Sequence, residues 1–221
     1  MLEIIAMTLE DAKRIQVGGG QRIELVSALS EGGLTPSYGL IQAVCRESDI
    51  PVNVIIRPHS KGFAYTKDEI ELMKSDIVAA KELGANGVVI GALTPENTID
   101  YEALQKLLAV CGGLEVTFHR AIDELTHIPA AVKNLEKYPQ ITTVLTSGGL
   151  AQPIEANTGV LRAAVAYSGQ LDILLGGGLD LENVLDIREK TGATHFHFGS
   201  GVRTNGEVDV EKIKKLRGML G

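Results

Sequence analysis

Strand alternation aims several ionisable residues of this chain at one place. In RIELVSAL (22–29), Glu24 faces opposite to Ile23 and Leu25, and in PVNVIIRP (51–58), Arg57 faces opposite to Ile56. In VTFHR (116–120), Val116 and Phe118 share one face while Thr117 and His119 share the other. In THFHFGSG (194–201), Phe196 and Phe198 share a face, leaving His195 and His197 opposite. If the apolar faces pack outward, Glu24, Arg57, His119 and His197 gather inside, with Thr146 or Ser147 nearby. A carboxylate and imidazoles suit general acid–base chemistry, and a guanidinium anchors an anion. The competing reading is that Glu24 and Arg57 are a buried pair neutralising each other.

Metal ligation is a second chemistry open to these residues. His119, His195 and His197 are the candidate ligands, since an HxH pair on one strand projects both rings the same way. His195 is expected deeper in the barrel, as a hydrogen-bonded core residue. His59 and His127 fall in loops and are expected to be solvated.

Glycine clusters form a further constellation: TSGG (146–149), LGGG (175–178) and GSG (199–201). Backbone N–H groups in such turns can hold an anion. The candidates are Arg120, Ser147, Gly148, Gly149, Gly176, Gly177, Gly178, Gly199 and Ser200. Tight turns that need glycine for conformational reasons are the plainer explanation.

Positioning these residues requires a regular scaffold. Eight apolar, β-branched stretches recur at 2–7, 22–29, 51–58, 87–93, 114–121, 141–149, 171–178 and 194–201. Helical segments with start signals lie between them. Thr8, Thr35 with Pro36, Thr66 with Glu69, Asp100, Asp180 and Asp209 mark helix starts, and Gly84 marks an end. The fifth helix is predicted over 128–137 and the sixth within 154–168. Eight strand–helix repeats predict an α/β fold, a single (β/α)8 TIM-type barrel over residues 1–221. Such barrels carry their chemistry at the C-terminal ends of the strands. A doubly wound open sheet also alternates strands and helices, but its GxGxxG turn is missing from IIAMTLED.

Composition narrows the function classes. A net charge of −7, 4% aromatic residues and no Trp leave no basic, stacking surface for nucleic acid. No run reaches membrane-spanning length and no targeting segment is evident, so a cytoplasmic location is expected. Cys45 and Cys111 lack CxxC spacing and read as free structural thiols in a reducing compartment.

Seven segments together resemble the CutC family of copper homeostasis proteins. They are RIELVSALSEGGLTPSYG (22–39), NVIIRPHSKGFAYTKDEIELMKSDI (53–77), VVIGALT (88–94), VTFHRAID (116–123), VLTSGG (144–149), LGGG (175–178) and FH (196–197). The resemblance implies a cytoplasmic, homo-oligomeric TIM-type barrel linked to copper. It carries over to Glu24, Arg57, His119, Arg120, Ser147, Gly148, Gly149, Gly176, Gly177, Gly178 and His197. Departures fall at Val26, at IIAMT in the first strand and at Phe198, where many members have cysteine. RPHSKGF stands in place of the usual RPRGGDF. Copper(I) prefers thiolate and thioether ligands. Keeping Glu, Arg and His without those thiols points away from thiolate copper binding.

Three functions are therefore in play. The first is copper homeostasis, with copper ion as partner or cofactor. The second is a barrel isomerase, lyase or hydrolase acting on a small anionic or phosphorylated metabolite, with Glu24, Arg57, His119 and His197 doing the chemistry. The third is a non-catalytic interaction scaffold. The enzyme reading gathers Glu24, Arg57, His119 and His197 at the mouth that bears the glycine turns, whereas the scaffold reading expects Glu24 and Arg57 to saturate each other with no cleft there.

Overall fold

Each apolar stretch becomes one parallel strand, because branched side chains on alternate residues suit a pleated surface buried on both faces. The computed structural model describes residues 1–151 and 153–221. The strands are β1 (Leu2–Ala6), β2 (Arg22–Leu25), β3 (Val52–Ile55), β4 (Gly87–Ile90), β5 (Glu115–Phe118), β6 (Ile141–Thr146), β7 (Asp172–Leu175) and β8 (His195–Phe198). They close in sequence order, with β8 pairing parallel to β1. The helices are α1 (Leu9–Gly18), α2 (Tyr38–Glu47), α3 (Lys67–Glu82), α4 (Tyr101–Cys111), α5 (Ile128–Leu135), α6 (Thr158–Ala166), α7 (Val184–Thr191) and α8 (Val210–Leu220). The fold is a (β/α)8 barrel.

Most start signals act as read. Thr8, Asp100 and Asp209 cap α1, α4 and α8, and Thr66 with Glu69 completes a capping box on α3. Two do not. Ser37 caps α2, while the Thr35 hydroxyl accepts the backbone N–H of Arg57 at 2.8 Å. Asp180 accepts from the N–H groups of Glu182 and Asn183 in a turn, and α7 begins only at Val184. An Asn205–Gly206 turn with positive φ at both residues joins β9 (Arg203–Thr204) to β10 (Glu207–Val208), a hairpin absent from the sequence reading. Arg203 ties it to the barrel by donating to Ile5 O at 2.9 Å and to Asp11 at 3.0 Å.

Alternation divides the interior into two environments. Outward faces such as Ile4, Leu25, Val54, Ile90, Phe118, Phe196 and Phe198 pack under the helices in one large cluster. Each such side chain contributes about 1.5–3 kcal/mol of burial. Ile5, Val26, Ile55 and Val89 form a separate inner cluster. Leu145 and Leu174 also face inward, and most of the other inward positions are polar or glycine. Register sets Glu3 beside both Arg22 and His197, and Glu24 beside Asn53.

Glycine makes this polar filling possible. A Cβ on Gly91 would lie 2.5 Å from the His119 ring, and one on Gly176 would lie 2.9 Å from His197 Cδ2. Each imidazole occupies the space that a neighbouring strand leaves open.

Candidate functional site

Burial of charge governs the first part of the site. Glu3, on the inner face of β1, accepts from Arg22 Nε, and its other oxygen lies 2.7 Å from His197 Nδ1. His197 Nε2 lies 3.6 Å from Glu24 Oε2. All four residues are buried. Burial would push the Glu3 carboxyl up, but Arg22 and His197 hold it below the ordinary value. Burial alone would lower His197, yet Glu24 and Glu3 hold it above its ordinary value. Glu24 is pushed up to about 7, mainly by burial, with the His197 charge opposing and the Glu3 charge adding. Glu3 is thus favoured as the anion, His197 is biased toward the cation that donates to it, and Glu24 titrates near neutrality.

Arg57 is not the partner of Glu24. Its Nη1 donates to the carbonyls of Glu31 at 2.8 Å and Gly33 at 3.2 Å, and its guanidinium stacks 4.7 Å over Phe63. The buried-pair reading is therefore corrected. The loop after β2 supplies carbonyls that Arg57 reaches instead.

His119 is held in one neutral form. It follows β5, and its Nδ1 accepts the N–H of Ala121 at 3.1 Å, which leaves the proton on Nε2. Burial, then the charges of Arg57 and Arg120, lower its pKa to about 3. The residue is 4% exposed, and Nε2 has no hydrogen-bond partner among the described residues. Phe63 packs on its ring at 4.9 Å.

Arg120 is aimed by a residue that the sequence reading missed. Asp123 accepts from Arg120 Nε at 2.9 Å, from the Ser147 backbone N–H at 3.0 Å and from Ser147 Oγ at 2.7 Å. It also accepts from Thr146 Oγ1. Arg120 Nη2 donates to Ser147 Oγ at 3.0 Å. Nη1 points to the next loop, where a Cβ on Gly177 would lie 3.1 Å away.

These groups meet in one cavity of about 530 Å³. Its walls include Glu24, Arg57, His119, Arg120 and His197, with Gly177, Gly178, Gly199 and Ser200 at its rim. The N–H groups of Gly177, Gly178 and Ser200 have no backbone acceptor among the described residues. The cavity opens where strands β7 and β8 end, the C-terminal face of the barrel.

Other expected residues lie elsewhere. Ser147, Gly148 and Gly149 do not line the cavity, because Asp123 draws Ser147 down and Gly148 packs against Asn157 and Leu161 of α6. Gly176 seats His197 rather than facing a ligand. His195 shares the inward face of β8 but lies at the opposite end, near Asp172 at 3.6 Å with a side chain 23% exposed. It neither joins the mouth nor sits in the core. His59 is not free in solvent either; its Nε2 lies 3.0 Å from Glu69.

Copper fits these donors poorly. His119, His195 and His197 do not converge, and no group of three His, Cys, Asp or Glu suited to a metal occurs among the described residues. His197 has carboxylates at both nitrogens, and His119 Nδ1 is taken by a backbone N–H. Cys45 and Cys111 lie on α2 and α4, with burial pushing both thiols up to about 11. The Met7 thioether packs with the inner apolar cluster.

The family model described as CutC family matches residues 1–202. This chain belongs to the CutC family. A human relative named copper homeostasis protein cutC homolog is 42% identical over 197 residues, covering 89% of this chain and 72% of its own. A CutC family protein from Photobacterium profundum is 40% identical over 198 residues, covering 89% and 80%. A solved copper homeostasis protein CutC from Streptococcus agalactiae superposes with a TM-score of 0.85 at 34% identity, covering 92% of this chain and 100% of that one. Phosphoribosyl anthranilate isomerase from Thermococcus kodakaraensis has a TM-score of 0.67 at 16% identity, covering 99% and 97%, a likeness of fold alone. No helix among the described residues is long and apolar enough to cross a membrane.

Proposed function

We propose that this CutC protein serves copper homeostasis by binding a small anionic metabolite at its mouth, and that copper(I) is not ligated there by thiolates. One observation carries the reading: Arg57, Arg120 and unbonded loop N–H groups border the same cavity as an acid–base pair. Arg57 Nε, buried and without a partner among the described residues, adds a further donor. Two guanidinium groups and backbone amides suit an oxyanion, and Arg favours bidentate contacts. Among the described residues no cysteine or methionine lines the cavity, which supports the second half of the reading. The two free thiols and the family resemblance support a cytosolic location, and the resemblance supports a homo-oligomer.

A thermal-shift screen of phosphates, sugar phosphates and carboxylates tests the anion site. A ligand present at about 100 times its Kd stabilises the fold by about 2.7 kcal/mol. That rise should vanish in Arg57→Ala. Copper(I) titration under reducing conditions tests the other half. Tight binding at one site, lost on replacing His119 and His197, would overturn the proposal.

A further inference from the structure

We propose that the mouth catalyses proton transfer beside a carbonyl, interconverting a phosphorylated α-hydroxy aldehyde and its α-hydroxy ketone, with Glu24 as base and His119 as donor to the carbonyl oxygen. The inference rests on the anion-binding reading above and adds the reaction to it.

Three observations converge. First, His119 lines the cavity, and its buried Nε2–H has no acceptor among the described residues. Leaving such a donor unsatisfied destabilises the fold, and a ligand oxygen would remove that cost. A neutral imidazole suits this role, because it can polarise a carbonyl without surrendering its proton to it. Burial, with the charges of Arg57 and Arg120, keeps the ring neutral, and the Ala121 N–H on Nδ1 leaves the proton on Nε2. Second, Glu24 stands three strands away round the barrel wall and makes no side-chain hydrogen bond among the described residues, with His197 approaching to 3.6 Å. Its carboxylate is available to accept a proton, and burial brings its affinity for one close to neutrality. Third, Arg120 and the 177–178 and 199–200 loops lie beside both groups, where a phosphate would orient the substrate.

The step conserves atoms and electrons. Glu24 takes the proton from the hydroxyl-bearing carbon, and that C–H pair becomes the C=C bond of an enediolate. The carbonyl π pair moves onto its oxygen, which accepts a hydrogen bond from His119 Nε2. Glu24 returns its proton to the former carbonyl carbon while one proton passes from the hydroxyl oxygen to the carbonyl oxygen. No oxidant, reductant or metal is consumed. His197, held by Glu3, is a positioning residue that keeps Glu24 on the cavity wall.

The test uses dihydroxyacetone phosphate and ribose 5-phosphate as probes in D2O. Carbon-bound deuterium is followed by NMR, and binding of the same probes by thermal shift. The wild-type protein should bind one of them and exchange its α-proton. Glu24→Gln should still bind yet lose exchange by about 10²–10⁴-fold, the usual worth of a general base. His119→Asn should lose about 10²–10³-fold, the worth of one oxyanion donor. Binding without exchange, or exchange unchanged in Glu24→Gln, overturns this inference and leaves the anion site standing. No binding of either probe, nor of any other anion in the screen, overturns both.

Discussion

Replacing His119 with asparagine separates its titration from its hydrogen bond. Asparagine can offer Oδ1 to the Ala121 N–H that Nδ1 accepts at 3.1 Å, so the cap on the following turn survives. What disappears is a buried ring that refuses a proton. The folded pKa is about 3 against an ordinary value of 6.5. Between those values the unfolded chain binds more protons than the folded one. Stability from this group is therefore complete above 6.5 and lost as pH falls through that window. From neutral pH to pH of about 4.5 the loss spans about two pKa units, or about 3 kcal/mol. Urea unfolding of both proteins at the two pH values measures it. The wild type should lose about 3 kcal/mol more than His119→Asn on acidification. Ring NMR signals of His119 should stay constant over the same range. Parallel pH profiles within about 1 kcal/mol, or a ring titrating near its ordinary value, would refute the reasoning.

Asp123→Ala removes the acceptor shared by Thr146, Ser147 and Arg120, and should cost about 3–5 kcal/mol in denaturant unfolding; a loss below about 1 kcal/mol would contradict its organising role. Gly176→Ala would put a Cβ 2.9 Å from His197 Cδ2 and 2.8 Å from Leu145 Cδ1, so about 1–3 kcal/mol of strain is expected, with a perturbed His197 titration by NMR. Glu3→Gln leaves Arg22 without its buried anion and should cost about 3–5 kcal/mol, while lowering the His197 pKa; an unmoved His197 titration would count against the pairing. His195→Ala should change stability by less than about 1 kcal/mol and leave anion binding at the mouth intact, because its contact with Asp172 is partly exposed and at the other end.

Alternation was enough to find the faces of Glu24, Arg57, His119 and His197, because a strand's period is two whatever its neighbours do. The eight-fold repeat likewise carried the architecture. Face is not height, however. His195 and His197 share a face but stand about 7 Å apart along β8, which puts them toward opposite ends of the barrel. Glu3 had a signal that went unused: a lone charge in LEIIA, opposite to Ile4. Asp123 had only Arg120, three residues back, as a local partner, while Thr146 and Ser147 lie 23 and 24 residues on. The same distance explains Ser147, whose hydroxyl looked free for a ligand until the fold brought a carboxylate to it. Thr35 was misread because a threonine before proline suits a helix cap, and only the fold reveals Arg57 N as its donor.

The seats that Gly91 and Gly176 provide for the two imidazoles bear on how this protein can diverge. Position 91 and position 119 draw on a single volume, as do 176 and 197. While histidine is kept, its glycine neighbour is frozen; once the ring is traded for serine or alanine, a methyl group can refill the gap at 91, and at 176 as well once the Leu145 side chain shifts. Descendants that abandon the mouth's chemistry should therefore record it twice, by paired changes on adjacent strands. Covariation at those pairs across many sequences would date the loss of each histidine's role before any ligand is known.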